Sequence, residues 1–362
     1  MFRIFRPITY LSLLFCLLPL EAQTANKSLS CDSKWKSSGG GSAIVASFSN
    51  LTRENLKLYW IDTQGKSVFY SELVPNQTLE MNTYAKHIWK LDNQNGKCIG
   101  VYQLTKSDEM ITIQGNAKVP AKTNRVSAVS PELADYYNLS PFYKKYINET
   151  GIPILASEKV SDKALIRANE ILKFMLKQLP QVPGRLQMYR IRLAIIGAKE
   201  QTLDIPEHSD MQTAFPEENW NERARGFGAT ISRPATSFGE ENLLCFPNDR
   251  YRGENIMVHE FAHTIMFSLS YTNPPLYKEI LAAYKAAKKK GLWKNTYAES
   301  NEDEYWAEGV QSWFDTNLES IPTNGIHGEI DTRKELETYD PQLYQVIRKV
   351  FGDDTFDFKC NY

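Results

Sequence analysis

Along the first third of the chain, apolar and polar residues alternate in short runs. Ala43–Phe48, Leu56–Ile61, Ser67–Ser71, His87–Leu91 and Ile99–Leu104 are rich in β-branched and aromatic residues. Gly, Asn, Asp and Pro clusters part them at a spacing of roughly ten residues, the pattern of a sandwich or barrel. A Gly-Gly-Gly-Ser stretch at 39–42 precedes them. Residues 105–140 are polar, with Pro120 and Pro131, and read as a linker that reaches Pro141. Beyond it the texture changes. Asp162–Leu179 places apolar residues at helical spacing and stops before Pro180, and Arg190–Gly197 reads as a buried strand. Gly226–Ile231 suits an edge strand; Asn255–Ser268, Leu276–Lys290 (closed by Gly291) and Asp303–Asp315 suit helices. The expected fold is multidomain: an all-β sandwich over 30–120, then an α+β domain over 130–362.

The amino-terminal end carries an address. Arg3 and Arg6 precede the apolar run Ile8–Leu20, and small residues follow at Ala22 and Ala25. This is the layout of a secretory signal peptide over 1–22, so the expected destination is extracellular. Sequons at Asn26, Asn50, Asn76, Asn138 and Asn148 predict a glycosylated surface before residue 151. Cys16 leaves with the signal, so Cys31, Cys98, Cys245 and Cys360 remain. An even count in an oxidising compartment predicts two disulfides, and four cysteines allow three pairings. Cys31–Cys98 with Cys245–Cys360 is favoured because each bridge stays in one half of the chain. No Cys-x-x-Cys pair supports zinc ligation by cysteine instead.

Charge narrows the partners. Lys plus Arg is 42 against 43 for Asp plus Glu, with no long basic run, so there is no footprint for nucleic acid. No stretch after residue 20 approaches the ~20 apolar residues of a membrane span.

The chemistry concentrates at His259-Glu260-Phe261-Ala262-His263. On a helix, residues four apart share a face, so both imidazoles can bind one Zn²⁺, while Glu260 can take a proton from water without ligating. The apolar Ile256, Met257, Ile265, Met266 and Phe267 around them fit a core helix. Catalytic zinc usually has three protein ligands, and an extended His-x-x-Gly-x-x-His continuation is missing. His208 and His327 are candidates for the third, but the acidic run 297–309 is better. There Glu304 and Glu308 lie four apart beside Trp306, Ala307, Val310, Trp313 and Phe314. Glu304 is expected as ligand, with Glu308 or Glu302 supporting it from behind.

HEFAH followed by Tyr297 and the run Glu304-Tyr-Trp-Ala-Glu308 resembles the lethal factor-type zinc metallopeptidases, which share their active-site layout with the Pro-Pro endopeptidases. The resemblance covers 255–315 and extends less closely over 140–254. It implies a zincin-like domain in which Glu304 is the third ligand and Tyr297 stabilises the tetrahedral intermediate. Arg223–Thr230 would then lie at a substrate-binding edge strand.

Residues 41–104 carry a second pattern, Trp60, Tyr70, Thr83, His87 and Trp89, similar to the β domain of the von Hippel-Lindau protein. That family holds a hydroxyproline in an aromatic cage. The resemblance implies Trp89 as the floor and Tyr70, Thr83 and His87 as hydrogen-bonding groups. The sequence departs from that pattern at Thr83, where the family has Ser, and at Asn82, where it usually has His. The family's helical partner-binding domain is absent from the sequence, which argues against a ubiquitin-ligase role. The same aromatics also suit an ordinary sandwich core.

Together these readings predict a secreted zinc metallopeptidase with Zn²⁺ as cofactor, acting on extracellular Pro- or hydroxyproline-rich protein. The rival expectation is a non-catalytic extracellular binder of hydroxyproline or glycoprotein, its zinc site structural or vestigial.

Overall fold

In the computed structural model, which describes residues 28–75, 77–106, 109–114, 119–358 and 360, the alternating runs become strands of two facing sheets. They are β1 (Ala43–Leu51), β2 (Leu56–Ile61), β3 (Ser67–Leu73), β4 (Thr78–Tyr84), β5 (Ile88–Asp92), β6 (Cys98–Gln103) and β7 (Glu109–Gln114). One sheet has the order β4-β1-β7 and the other β3-β2-β5-β6. Inward positions of both sheets, among them Phe48, Leu58, Met81, Trp89, Leu91 and Ile111, bury a common core. β4 is polar in composition, yet Met81 and Thr83 turn inward while Glu80 and Asn82 stay outside, so its period of two survives in only two side chains. The segment expected to be a signal peptide and the sequons at Asn26 and Asn76 lie outside the described residues.

Residues 105–140 are not a linker. β7 pairs in parallel with β1, β8 (Thr123–Ala128) joins the second unit's sheet, and Pro131–Tyr137 is a helix capped by Ser130. These elements are short and polar on one side, and tertiary pairing supplies what local pattern lacks. Arg53, in the β1–β2 turn, reaches this helix. Its guanidinium pairs with Asp135 at 2.8 Å and donates to the Ala134 carbonyl at 3.0 Å.

The second unit is built on a six-stranded sheet. Its further strands are β9 (Lys145–Asn148), β10 (Ile154–Ala156), β11 (Arg192–Ile196), β12 (Gly226–Phe227) and β13 (Ala235–Gly239), in the order β12-β13-β11-β10-β9-β8. β10, β11 and β13 run parallel; β12 is an antiparallel edge. Against it pack helices Asp162–Met175 and Ile256–Thr272, and on the latter lie Pro274–Lys290 and Glu302–Trp313, with Pro341–Phe351 against those two. Their shared core includes Leu193, Ile195, Phe238, Phe261, Ile265 and Trp306.

Helix 256–272 begins where Asn255 accepts from the Val258 N–H, and it runs to Thr272 rather than to Ser268. The expected helix stop after Lys290 is present, with Gly291 in the left-handed region at φ 73°. Among the described residues no helix is long and apolar enough to cross a membrane.

Two disulfides form, Cys31–Cys98 and Cys245–Cys360. Two sequons must be corrected. Asn50 is wholly buried and its amide donates to the Glu54 and Leu73 carbonyls at 2.8 Å. Asn148 is buried as well, so neither amide nitrogen can carry a glycan in this fold. Asn138 is half-buried at the end of its helix.

Candidate functional site

Three side chains converge at one end of helix 256–272. His259 Nε2 and His263 Nε2 lie 3.2 Å apart, and Glu304 Oε2 is 3.1 Å from the first and 3.3 Å from the second. Sequence spacing alone puts both imidazoles on one helix face; Glu304 arrives from elsewhere by specific contacts. Helix 302–313 starts at Asn301, whose side chain accepts from the Glu304 N–H. Glu304 therefore sits in the first turn, where the helix dipole favours a carboxylate. Two residues on, the Trp306 indole donates to the Ala262 carbonyl at 2.9 Å and locks the two helices together.

Behind the histidines lies a buried polar layer. His259 Nδ1 is 2.7 Å from Gln311 Oε1, and the Gln311 amide nitrogen faces the Thr316 carbonyl. Gln311 oxygen accepts, so Nδ1 donates to it and Nε2 is the ring nitrogen that faces Glu304 and His263. Glu308 Oε1 lies 3.5 Å from the same Nδ1, and its other oxygen accepts from Asn317. Glu308, rather than Glu302, thus stands behind the histidine. Neither alternative third ligand joins the cluster. His208 is buried against Ser237 Oγ at 2.8 Å, where desolvation pushes its pKa down to about 4, and His327 faces Glu254.

The electrostatics invite a cation. Burial would lower the pKa of His259, but the Glu304 hydrogen bond and the charges of Glu260, Glu304 and Glu308 pull it up to about 10. Burial likewise opposes the rise of His263, which the Glu304 charge outweighs. Burial would raise Glu304, yet the two imidazoles hold it far below the usual carboxylate range. Desolvation raises Glu260 and Glu308. Glu254 is pushed up to about 8 by burial and by the neighbouring Glu308 charge. Carboxylates outnumber the charge available here, and a divalent cation would supply what is otherwise drawn from protons. Two imidazole nitrogens and one carboxylate oxygen are also a donor set suited to zinc. His259, His263 and Glu304 are the residues that could hold it.

The edge strand lies directly on this helix. The Gly228 backbone N–H faces the Glu260 carboxylate and favours its charged form. A Cβ at Gly228 would fall 2.9 Å from His263 Cβ; one at Gly226 would fall 2.9 Å from Ile256 Cγ2 and 3.0 Å from Glu260 Cγ. Thr264 Oγ1 and Thr236 Oγ1, 2.6 Å apart, fasten the helix to β13. Tyr297, on a single 3₁₀ turn, stacks its ring over His259 with centroids 6.3 Å apart.

In the β unit, the five spaced residues meet. Trp60 and Trp89 are cross-strand partners, and Tyr70 stands edge-on to Trp89 at 5.0 Å. His87 packs 5.2 Å from Trp60 and points Nδ1 to Thr83 Oγ1 at 3.4 Å. Trp89 and Thr83 are buried while Tyr70 is half exposed, giving a floor and a rim. Burial lowers the pKa of His87, so the imidazole is neutral near pH 7.

The VHL beta domain family matches residues 36–102, the span that contains this cluster. These residues form a VHL beta domain-like module. No curated protein matches the chain.

The sequence did not single out Gln311, nor the tight approach of Gly226 and Gly228 to the helix. Gln311 was findable, being seven residues after Glu304 and so on the same helix face; the glycines give no signal without the strand–helix distance.

Proposed function

We propose that the chain is a secreted zinc-dependent endopeptidase with an amino-terminal module that holds hydroxyproline- or Pro-rich extracellular protein. The observation that carries the catalytic half is the meeting of His259, His263 and Glu304 within hydrogen-bond range, with Glu260 and Tyr297 beside them. Zn²⁺ bound there would supply a Lewis acid and an acidified water.

Glu260 takes the proton as water oxygen adds to the scissile carbonyl carbon, then returns it to the departing amine. The products are one carboxylate and one amine. Desolvation, which raises this carboxyl, brings its basicity nearer the working pH. The Tyr297 hydroxyl donates to the oxyanion that develops on the carbonyl. β12 pairs with β13 on one side, so an extended peptide can add along the other.

The module's share rests on the aromatic cluster. A pyrrolidine ring would pack against the accessible rings of Trp60 and Tyr70 above the buried Trp89, with its hydroxyl toward His87 and Thr83. Holding such a substrate beside the cleft raises its effective concentration. The disulfides suit an oxidising, extracellular setting.

The second reading, a binding protein with a vestigial zinc site, is favoured by the family match falling on the β module. Metal analysis of the purified protein, then digestion of a proteome-derived peptide library with and without chelator, separates the two. Stoichiometric zinc and chelator-sensitive cleavage support the peptidase. Zinc with no cleavage supports the binder.

A further inference from the structure

The mechanism leaves His327 and its loop unused. Residues 319–328 fold back on themselves: Glu319 bridges Gly328, the Ser320 N–H donates to the Gly328 carbonyl, and the Asn324 side-chain oxygen accepts from the Ile326 and His327 N–H groups. One limb is joined to the segment bearing Tyr297. The Tyr297 N–H donates to the Ile326 carbonyl at 2.8 Å and the Gly325 N–H to the Asn295 carbonyl at 3.1 Å. The Asn295 amide donates to Thr323 Oγ1 at 2.9 Å.

Hydrophobic burial does little to hold this loop. Ile321 and Ile326 are 73% and 52% exposed. His327 instead turns inward, with Nε2 3.6 Å from Glu254 Oε1 and both side chains about nine-tenths buried. The Glu254 carboxyl lies in turn beside Gln311, the partner of His259. His327 thus packs inward against Glu254, and the residue before it, Ile326, supplies the carbonyl that holds Tyr297. Tyr297 sits on a single 3₁₀ turn, and the Ile326 carbonyl adds a hydrogen bond to it from outside that turn.

We propose that His327 is a positioning residue: it anchors the 319–328 loop to the interior behind the histidine pair and so sets where the Tyr297 hydroxyl stands. The catalytic consequence rests on the peptidase reading; the anchoring does not.

The test uses the full zinc-loaded protein with His327→Ala, His327→Gln, Tyr297→Phe and the Ala/Phe double variant. Hydrogen exchange over residues 295–299 should speed at least tenfold in His327→Ala and return toward the parent in His327→Gln, which keeps a polar group facing Glu254. With a cleaved library peptide, His327→Ala should lose about 10²-fold in kcat, as expected for a misplaced group, with little change in KM. Zinc affinity, read by chelator competition, should stay within twofold. The double variant should be no slower than Tyr297→Phe. Unchanged exchange at 295–299 in His327→Ala, or losses that multiply in the double variant, would overturn the proposal. Should the parent cleave nothing, the peptidase reading fails by itself and the exchange result still decides the anchor. Should His327→Ala not fold, His327→Asn carries the test, its side chain being too short to reach Glu254: faster exchange at 295–299 supports the anchor, and parental exchange overturns it.

Discussion

His259 presents Nδ1 to Gln311 Oε1 at 2.7 Å, and that bond decides which ring nitrogen faces Glu304. A Gln311→Leu variant keeps the volume and removes the acceptor. It should weaken zinc binding by about 10–100-fold, the usual effect of losing a ligand's outer partner. Competition against a chromophoric chelator measures this, and parental affinity would show that ring orientation is set elsewhere.

Glu260 stands beside the proposed ligands without joining them. Glu260→Gln should bind zinc as the parent does and lose about 10²–10⁴-fold in peptide cleavage, the range for a missing general base. A variant that retains both zinc and full turnover removes Glu260 from the chemistry.

At Gly228 the edge strand meets the helix with no room for a methyl group, since a Cβ would stand 2.9 Å from His263 Cβ. Gly228→Ala should push the strand outward, release the Glu260 carboxylate from the Gly228 N–H and lower kcat/KM by an order of magnitude or more. Circular dichroism should remain parental while activity falls. Equal activity would mean that strand and helix can part without consequence.

Tyr70 is half exposed at the rim of the Trp89 floor. Tyr70→Ala should weaken binding of a hydroxyproline peptide by about tenfold, consistent with loss of one aromatic contact of about 0.5–1.5 kcal/mol plus its buried area. Thermal stability should change little. Fluorescence anisotropy with hydroxyproline and proline versions of one peptide reads both affinity and the share due to the hydroxyl.

Arg192, in the middle of the sheet, pairs with Glu207, which also accepts from the Tyr143 hydroxyl. Burial would raise Glu207, but the Arg192 charge and these hydrogen bonds outweigh it and hold the carboxyl below its ordinary value. Its contribution to stability is therefore complete above the unfolded carboxyl pKa of about 4.5 and is lost as pH falls through the folded value. Arg192→Ala, leaving Glu207 buried without its partner, should cost about 3–5 kcal/mol. Urea unfolding across pH 3–7 should show that cost shrinking on the acid side.

How much of this could be read from residues alone differs by element. The histidine pair and helix 302–313 were legible because apolar positions at helical spacing and a dipole-compatible acidic start coincide there. The β strands with two-sided alternation were legible too. β4, β7 and β8 were not, since Thr78–Tyr84 offers little apolar signal and β7 is stabilised by pairing with β1 across about sixty residues of chain. The sequons at Asn50 and Asn148 misled for a related reason: a tripeptide says nothing about whether its amide is already spent on a turn or a strand end. His327 was visible as a residue but not as a role, because its partner Glu254 comes from a distant loop.

Among the described residues, finally, the crosslinks never pass from one unit to the other. Cys31 meets Cys98 and Cys245 meets Cys360, so between them a lone peptide thread carries the whole covalent connection. One nick between β7 and β8 would cut that thread with no reductant needed, leaving surface contacts such as Arg53 with Asp135 to hold the β unit to the unit that carries His259, His263 and Glu304. Cleavage there would part the aromatic cluster from the side chains His259, His263 and Glu304 without breaking either disulfide.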